Sequence, residues 1–124
     1  MNLMVLQAFW QLLRFDFLVT RNDFRSLYTK VGDSDIRKLQ KHFYAVPEIC
    51  TAMDVACIWY PKQVLCLQRS AATACLLKRF GHPAQLVVGT VFVPFKAHAW
   101  VEVDGRVVND RASTIATYAV LDRC

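Results

Sequence analysis

Several features that would place this chain in a familiar functional class are missing from its sequence. The 124 residues contain no internal repeat, and the five cysteines include no C-x-x-C pair and no histidine spaced to complete a zinc site. Fifteen Lys and Arg residues give a formal net charge of +5, but they are scattered and form no basic stripe of the kind that binds nucleic acid. A composition of 55% hydrophobic and 20% charged residues excludes a disordered or low-complexity chain. We therefore predict one globular domain over residues 1–124, with no cofactor, no metal and no nucleic-acid partner.

An odd number of cysteines without a pairing motif is typical of a reduced compartment, so we expect a cytoplasmic protein. Cys50, Cys57 and Cys75 fall within helical patterns that would bury them, and we interpret all three as small core residues. Cys124 is the last residue of the sequence and is interpreted as incidental. Cys66 differs from the other four, because it stands at the predicted start of a helix.

The first residues, MNLMVLQAFWQLLRFDFLV, are apolar enough to suggest an export signal or a membrane span. Neither fits, because the run has no basic start and no small-residue cleavage site, and polar residues interrupt it before the roughly 20 residues of a span. Gln7, Gln11 and Arg14 fall at i, i+4 and i+7 and form one polar stripe on a helix whose other faces are apolar. We expect this helix to pack in the core, with docking to a partner protein or a membrane surface as the alternative.

Two further helices are predicted from capping residues and from proline. Asp33-Ser34 can cap a short polar helix that runs to about His42. A second helix opens at Val46-Pro47-Glu48, with proline in its first turn and an acid near its positive end, and runs to about Trp59. The dipeptide Tyr60-Pro61 then breaks the chain.

Strand signals replace helical ones in the second half of the chain. The stretch CLQRSAATACLLKRFG predicts one more helix, which begins near Leu65 and is ended by Gly81. The runs AQLVVGTVFV, AHAWVEV and RVVND that follow are β-branched and aromatic, as in strands. Helices first and strands afterwards predict an α+β fold, with N-terminal helices followed by an antiparallel sheet.

The stretch AHAWVEVDGRVVND predicts two strands joined at its D-G dipeptide, in either of two registers. A two-residue turn points Asp110 to the face of the sheet opposite His98. A three-residue valine-aspartate-glycine loop, with the glycine in a left-handed bulge, sets Asp110 directly opposite His98. We favour the three-residue loop, because it also pairs Glu102 with Arg106, which carry opposite charges.

A histidine held by an aspartate supports a nucleophile, and Cys66 is the best-placed one for His98 and Asp110. Its backbone N–H, at the start of a helix, could stabilise an oxyanion. Gln63 could add a second donor, although an exposed loop glutamine is the simpler interpretation. Ser70 lies in mid-helix with no base in reach, which disfavours a serine hydrolase.

Three stretches stand out together: CLQRS, GHPAQLVVG, and AHAWVE with GRVVND after it. Taken together they resemble the transglutaminase-like superfamily of papain-type cysteine proteases and, more narrowly, the leader peptidases of lasso-peptide biosynthesis. The resemblance covers residues 61–110 closely and the helical first half loosely. It implies a transglutaminase-like core in which Cys66, His98 and Asp110 are the catalytic Cys, His and Asp.

This resemblance implies a cytoplasmic peptidase that cuts the leader from a ribosomally made precursor, so that an asparagine-synthetase-like cyclase can close the macrolactam. In fused members a leader-recognition domain precedes the peptidase. Here residues 1–60 predict helices rather than a small strand-rich domain, so we expect the split form, with a separate leader-recognition protein as partner. Residues 61–124 are then the catalytic core, and the helical part is a possible docking surface.

Two other functions stay open. A transglutaminase-type acyltransferase would share the acyl-enzyme and pass it to an amine, and a non-catalytic adaptor would keep the fold for binding in a peptide-maturation complex. The products of the reaction separate the first from a peptidase. The presence of Cys66, His98 and Asp110 together argues against the second, which a thiol-directed probe that fails to label Cys66 selectively would revive.

Overall fold

The computed structural model describes residues 3–21, 23–33, 44–92 and 95–124. Within these ranges the helices precede the antiparallel sheet, apart from one short helix near the end, so the predicted α+β class is confirmed. The helices are α1 (Leu3–Thr20), α2 (Phe24–Asp33), α3 (Val46–Trp59), α4 (Cys66–Arg79) and α5 (Ala112–Ile115), and the strands are β1 (Ala84–Phe92), β2 (Phe95–Val103), β3 (Arg106–Val107) and β4 (Ala119–Arg123).

The four strands form one antiparallel sheet in the order β3-β2-β1-β4. β1 and β2 pair along their whole length, with Ala84 opposite Val103 at one end and Phe92 opposite Phe95 at the other. Both strands are rich in β-branched and aromatic residues, which suit a pleated surface that is buried on one side. β4 pairs with the other edge of β1 and makes β1 a central strand.

α4 is the central helix, packed against α1 and against the sheet. Its small side chains let both neighbours approach closely. Two buried polar side chains tie it to other helices. Gln68 donates from Nε2 to the carbonyl of Leu12 at 2.9 Å, and Lys78 donates from Nζ to the carbonyl of Val31 at 2.6 Å. The alanines buried in this packing are Ala71, Ala72 and Ala74.

α3 and α4 end where the sequence predicts. α3 stops at Trp59, directly before the Tyr60-Pro61 break. After α4, Gly81 adopts a φ of 90°, and the N–H of His82 donates to the carbonyl of Leu77 at 3.0 Å. This bond closes the helix in the manner of a glycine-terminated C-cap.

The helix predicted from Ser34 to about His42 lies outside the described residues. Asp33, predicted together with Ser34 as its cap, is the last residue of α2. α2 itself was not expected from the sequence. It begins after Asp23, whose Oδ1 accepts the N–H of Ser26 at 3.3 Å in the position of an N-cap.

α1 packs in the core, as expected, but its polar stripe is not its exposed side. Gln11 is buried, and its Oε1 accepts from Nη1 of Arg14 at 2.8 Å. Ala8, Leu12 and Phe15 are fully buried against the rest of the fold. By length and composition alone α1 is also long and apolar enough to cross a membrane.

Candidate active site

The hairpin of β2 and β3 turns through two residues, Asp104 and Gly105. Val103 lies opposite Arg106, and both turn residues have positive φ, 52° and 77°, as in a type I′ turn. The three-residue loop favoured from the sequence is therefore wrong. A D-G dipeptide suits a turn whose twist matches the strands, and this preference outweighs a cross-strand ion pair worth only about 0.2–1 kcal/mol.

Glu102 consequently makes different contacts from those predicted. It lies opposite Val107, and the expected pair with Arg106 is replaced by one hydrogen bond and one ion pair. Its Oε2 accepts from Nε1 of Trp100 at 3.0 Å, and its Oε1 lies 3.6 Å from Nε of Arg123 in β4. Glu102 therefore links β2 to β4 across β1.

Backbone pairing between β2 and β3 stops after two residue pairs, and a side chain continues it. The N–H of Val108 still donates to the carbonyl of Val101 at 3.0 Å. The N–H of Val101, however, donates to Oδ1 of the Asn109 side chain at 2.8 Å. Because Asn109 takes the place of a backbone acceptor, the chain leaves the strand path here, and Asp110 reaches His98.

Asn109 is also held from the helical side. Its Nδ2 donates to Oγ of Ser70 at 3.1 Å, and this hydroxyl donates to the carbonyl of Ala99 at 3.0 Å. Ser70 is almost fully buried. One chain of hydrogen bonds thus joins α4, β2 and the residue before Asp110.

His98 and Asp110 are in direct contact, with Nε2 of the imidazole against Oδ2 of the carboxylate and about a quarter of each side chain exposed. Oδ1 accepts the N–H of Arg111 at 2.7 Å. Burial alone would raise the pKa of Asp110, but the hydrogen bonds from His98 and Arg111 and the charges of His98 and Arg69 hold this pKa below its usual range. The carboxylate is therefore ionised at neutral pH and orients the His98 ring, which leaves Nδ1 for another partner.

Two aromatic rings flank the imidazole of His98. The ring centroid of Tyr118 lies 5.6 Å from that of His98, and the centroid of Trp100 lies 6.0 Å away. Trp100 is fully buried and passes over Gly89, where an added Cβ would come within 2.6 Å of its Cη2 atom. Gly89 is therefore needed for the position of Trp100 beside the histidine.

Cys66 is the first residue of α4 and is exposed. The residue before it, Leu65, provides no side-chain cap, so it leaves the N–H groups of the first turn to other acceptors. Such groups can stabilise the negative charge that develops on a carbonyl oxygen when the Cys66 sulfur attacks the carbonyl carbon. Gln63 is exposed in the preceding loop.

The other four cysteines are less suited to act as nucleophiles. Cys75 is buried, and Cys50, Cys57 and Cys124 are half-buried. Burial raises the pKa of the Cys50, Cys57 and Cys124 thiols, so these groups are protonated at neutral pH. The prediction of core positions is confirmed for Cys75 and is only partly correct for Cys50 and Cys57.

Two cavities meet at Cys66 and His98, and Ala99 lines both. The first has a volume of about 270 Å³ and is mostly apolar. The second has a volume of about 250 Å³ and is polar. The first is also lined by Phe24, Tyr28, Leu67, Val88 and Ala97, and the second by Val64, Arg69, Ser70, Asn109 and Asp110. A peptide lying across Cys66 would meet an apolar pocket on one side and a polar one on the other.

Three residues around the site were not anticipated from the sequence. The sequence carries a signal for Asn109, because an amide directly before Asp110 is suited to interrupt a strand. The signal for Ser70 is weaker and consists of a hydroxyl among alanines in a buried helix. The sequence carries no signal for Tyr118, because the position of this residue depends on α5 and β4, which were not predicted. Across the described ranges, no group of three His, Cys, Asp or Glu side chains is placed to hold a metal ion.

Comparison with known proteins gives one match. A family model described as the Transglutaminase-like superfamily matches residues 9–123, a span that includes Cys66, His98 and Asp110. No curated protein and no solved structure gives a significant match.

Proposed function

This chain belongs to the transglutaminase-like superfamily, and on that premise we propose that it is a cysteine peptidase with Cys66 as nucleophile, His98 as base and Asp110 as orienting carboxylate. The superfamily is compatible with peptidase or acyltransferase chemistry. The observation that supports this proposal most directly is the contact of His98 with an ionised Asp110, at two cavities shared with the exposed Cys66.

In the first step, Nδ1 of His98 takes the proton of the Cys66 thiol, and the sulfur attacks the carbonyl carbon of the scissile peptide bond. The negative charge on the carbonyl oxygen is stabilised by N–H groups at the start of α4. As the tetrahedral intermediate collapses, the His98 imidazolium protonates the leaving amine and the C–N bond breaks. The product of this step is a thioester on Cys66.

In the second step, His98 accepts a proton from water, and the hydroxide attacks the thioester carbonyl. The C–S bond breaks, the acid is released, and the proton on His98 returns to the Cys66 thiolate. Asp110 contributes by holding the ring in one orientation and by stabilising the imidazolium formed in each step.

We propose further that the substrate is a lasso-peptide precursor and that cleavage removes its leader. This finer assignment is supported by the resemblance of CLQRS, GHPAQLVVG and AHAWVE to the leader peptidases of that pathway. The partners are then the precursor, a separate leader-recognition protein and an asparagine-synthetase-like macrolactam cyclase, all in the cytoplasm. Recruitment by the recognition protein would raise the effective concentration of the precursor at Cys66.

The test is leader removal in a mixture of the peptidase, the precursor and the recognition protein, followed by mass spectrometry. Cys66→Ala should reduce cleavage to background, whereas Cys57→Ala should retain it, since that thiol is half-buried in α3. Full cleavage by Cys66→Ala would refute the assignment of the nucleophile.

The same spectra separate the peptidase from its rivals. Hydrolysis gives two fragments whose summed mass exceeds that of the precursor by one water. An acyltransferase instead joins an acyl donor to an amine and releases ammonia. An adaptor leaves the precursor intact with wild-type protein and with every variant.

A further inference from the structure

α1 carries a row of large apolar residues on a side that the described part of the chain leaves uncovered. Leu3, Leu6, Trp10, Leu13 and Phe17 are between 42% and 67% exposed, and we call this row the α1 seam. Single exposed hydrophobic residues are ordinary, but a continuous row of five along one helix is typical of an interaction site. Their spacing alternates between three and four residues, which is the a/d repeat of a helix that packs against another helix.

The α1 seam is distinct from the face by which α1 joins the core. Ala8, Leu12 and Phe15 are fully buried on that other face. Since α1 cannot turn both faces inward, the fold leaves the seam for something outside the described residues. The helix is therefore apolar on two sides, one used within the domain and one available to a partner.

A small cavity, which we call the notch, lies along one edge of the α1 seam beside the end of α4. Its volume is about 200 Å³, and it is lined by Leu6, Gln7, Trp10, Gln11 and Arg79. A side chain from a partner could fill a notch of this kind, as anchor residues do at the centre of many interfaces.

Three arginines lie beside the α1 seam. Arg14 and Arg21, seven residues apart, follow one edge of the row, and Arg79 lines the notch. The guanidinium of Arg21 lies 5.1 Å from the ring centroid of Phe17. Asp16 does not offset these charges, because Nζ of Lys62 lies 2.8 Å from its Oδ1. A complementary surface would carry acidic residues along its edge.

We propose that the α1 seam binds an amphipathic helix of a partner protein, whose apolar residues pack along the row and whose acidic residues face Arg14, Arg21 and Arg79. The notch beside Leu6 and Trp10 favours a protein partner over a lipid surface, because a folded partner can place one anchoring side chain in it. A second copy of this chain is disfavoured, since each copy carries a net charge of +5 and the same three arginines. The proposal is independent of the catalytic role of Cys66, because it concerns binding alone.

The probe is a pair of synthetic three-heptad peptides with leucine at the a and d positions, one with glutamate at the flanking positions and one with lysine. Binding is measured by fluorescence anisotropy with Cys66→Ala protein, which cannot cleave them. We expect the glutamate peptide to bind at least about tenfold more tightly than the lysine peptide, and added salt to weaken its binding.

The double variant Leu6→Glu, Leu13→Glu should lose the binding. Ile58→Glu, an exposed position on α3 outside the seam, should retain it.

Circular dichroism checks that each variant is folded. Equal affinity for the two peptides, or unchanged binding by the Leu6→Glu, Leu13→Glu protein, would overturn the proposal. So would seam-dependent binding to phosphatidylglycerol vesicles without peptide binding, which would indicate a membrane surface. Concentration-dependent dimers in ultracentrifugation that the double variant abolishes would indicate a second copy and would overturn it as well.

Discussion

The two ends of the β2–β3 hairpin are built by different means. Near the turn, backbone groups pair in a regular register, and Val103 and Glu102 lie opposite Arg106 and Val107. Near His98, the pairing passes through the side chain of Asn109. The turn end requires only residues that accept positive φ, here Asp104 and Gly105. The end near His98 requires an amide side chain at position 109, which accepts the N–H of Val101.

This difference explains how a short hairpin can deliver a carboxylate to a histidine on the neighbouring strand. A regular two-residue hairpin would point Asp110 to the opposite face of the sheet from His98. The side-chain bond from Asn109 ends the ladder early, and Ser70 fixes the point at which it ends. The contact between His98 and Asp110 thus forms at the point where backbone pairing between β2 and β3 stops.

The largest effect should come from Asp110→Asn at the site end. The amide carries no charge to stabilise the imidazolium and can donate to Nε2 of His98, which favours the wrong tautomer. We expect kcat to fall by about 10²–10⁴-fold, with the fold retained in circular dichroism. Asp104→Asn is the matched control at the turn end and should keep full activity, since Asp104 is exposed and asparagine tolerates positive φ. An unchanged rate in Asp110→Asn would remove this residue from the mechanism.

Asn109→Leu should have the next largest effect. It leaves the N–H of Val101 without its acceptor, at a cost of about 1–3 kcal/mol, and releases the segment that holds Asp110. We expect a loss of about 10–100-fold in kcat, comparable to the loss of other outer supporting residues, with KM little changed. Val107→Leu, in the regular part of the hairpin, should stay within about twofold of the wild-type rate.

Asn109→Asp distinguishes positioning from stability, because it keeps an acceptor for the N–H of Val101. It should recover part of the activity that Asn109→Leu loses. Equal losses in the two variants, in proportion to their losses of stability, would mean that Asn109 acts on the fold alone.

Gly105→Ala tests the turn end without touching the site. Gly105 has a φ of 77° with open space around it, so an added methyl group meets only backbone strain. The free energy of unfolding in urea should fall by about 1 kcal/mol, with kcat unchanged. A loss of activity at constant stability would mean that the two ends of the hairpin are coupled.

The smallest effect should be on acid stability. Because the pKa of Asp110 is lower in the folded protein than its unfolded value of about 3.9, its stabilising contribution is complete above that pH and is lost as pH falls through the folded pKa. The difference in unfolding free energy between wild type and Asp110→Asn, below about 1 kcal/mol for so accessible a pair, should therefore shrink as the pH falls below about 4. A difference that grows as the pH falls below about 4 would contradict the contact with His98.

The helix ends were predictable from the sequence because their signals are local. Tyr60-Pro61 ends α3, and Gly81 ends α4, each for a reason that involves only neighbouring residues. The hairpin register was predicted wrongly because an ion pair was preferred to the local chemistry of Asp104-Gly105. Local turn geometry was the more reliable signal of the two.

Most of the features that were not predicted depend on contacts between residues far apart in the sequence, which no short sequence pattern can indicate. β4 is five residues of mixed polarity and gains its place from pairing with β1. α2 had a usable signal, since Asp23 precedes a run with Leu27 and Val31 on one face, and both residues are buried. The link from Ser70 to Asn109 spans 39 positions and arises only once α4 packs on the sheet.

Alkylation of native protein with iodoacetamide, followed by peptide mapping, tests most directly whether His98 activates Cys66. Wild-type Cys66 should react faster than Cys50, Cys57, Cys75 and Cys124, and its rate should fall by about tenfold or more in His98→Ala while the other four rates stay the same. Equal Cys66 rates in the wild type and in folded His98→Ala would show that the histidine does not act on the thiol and would contradict the proposed mechanism.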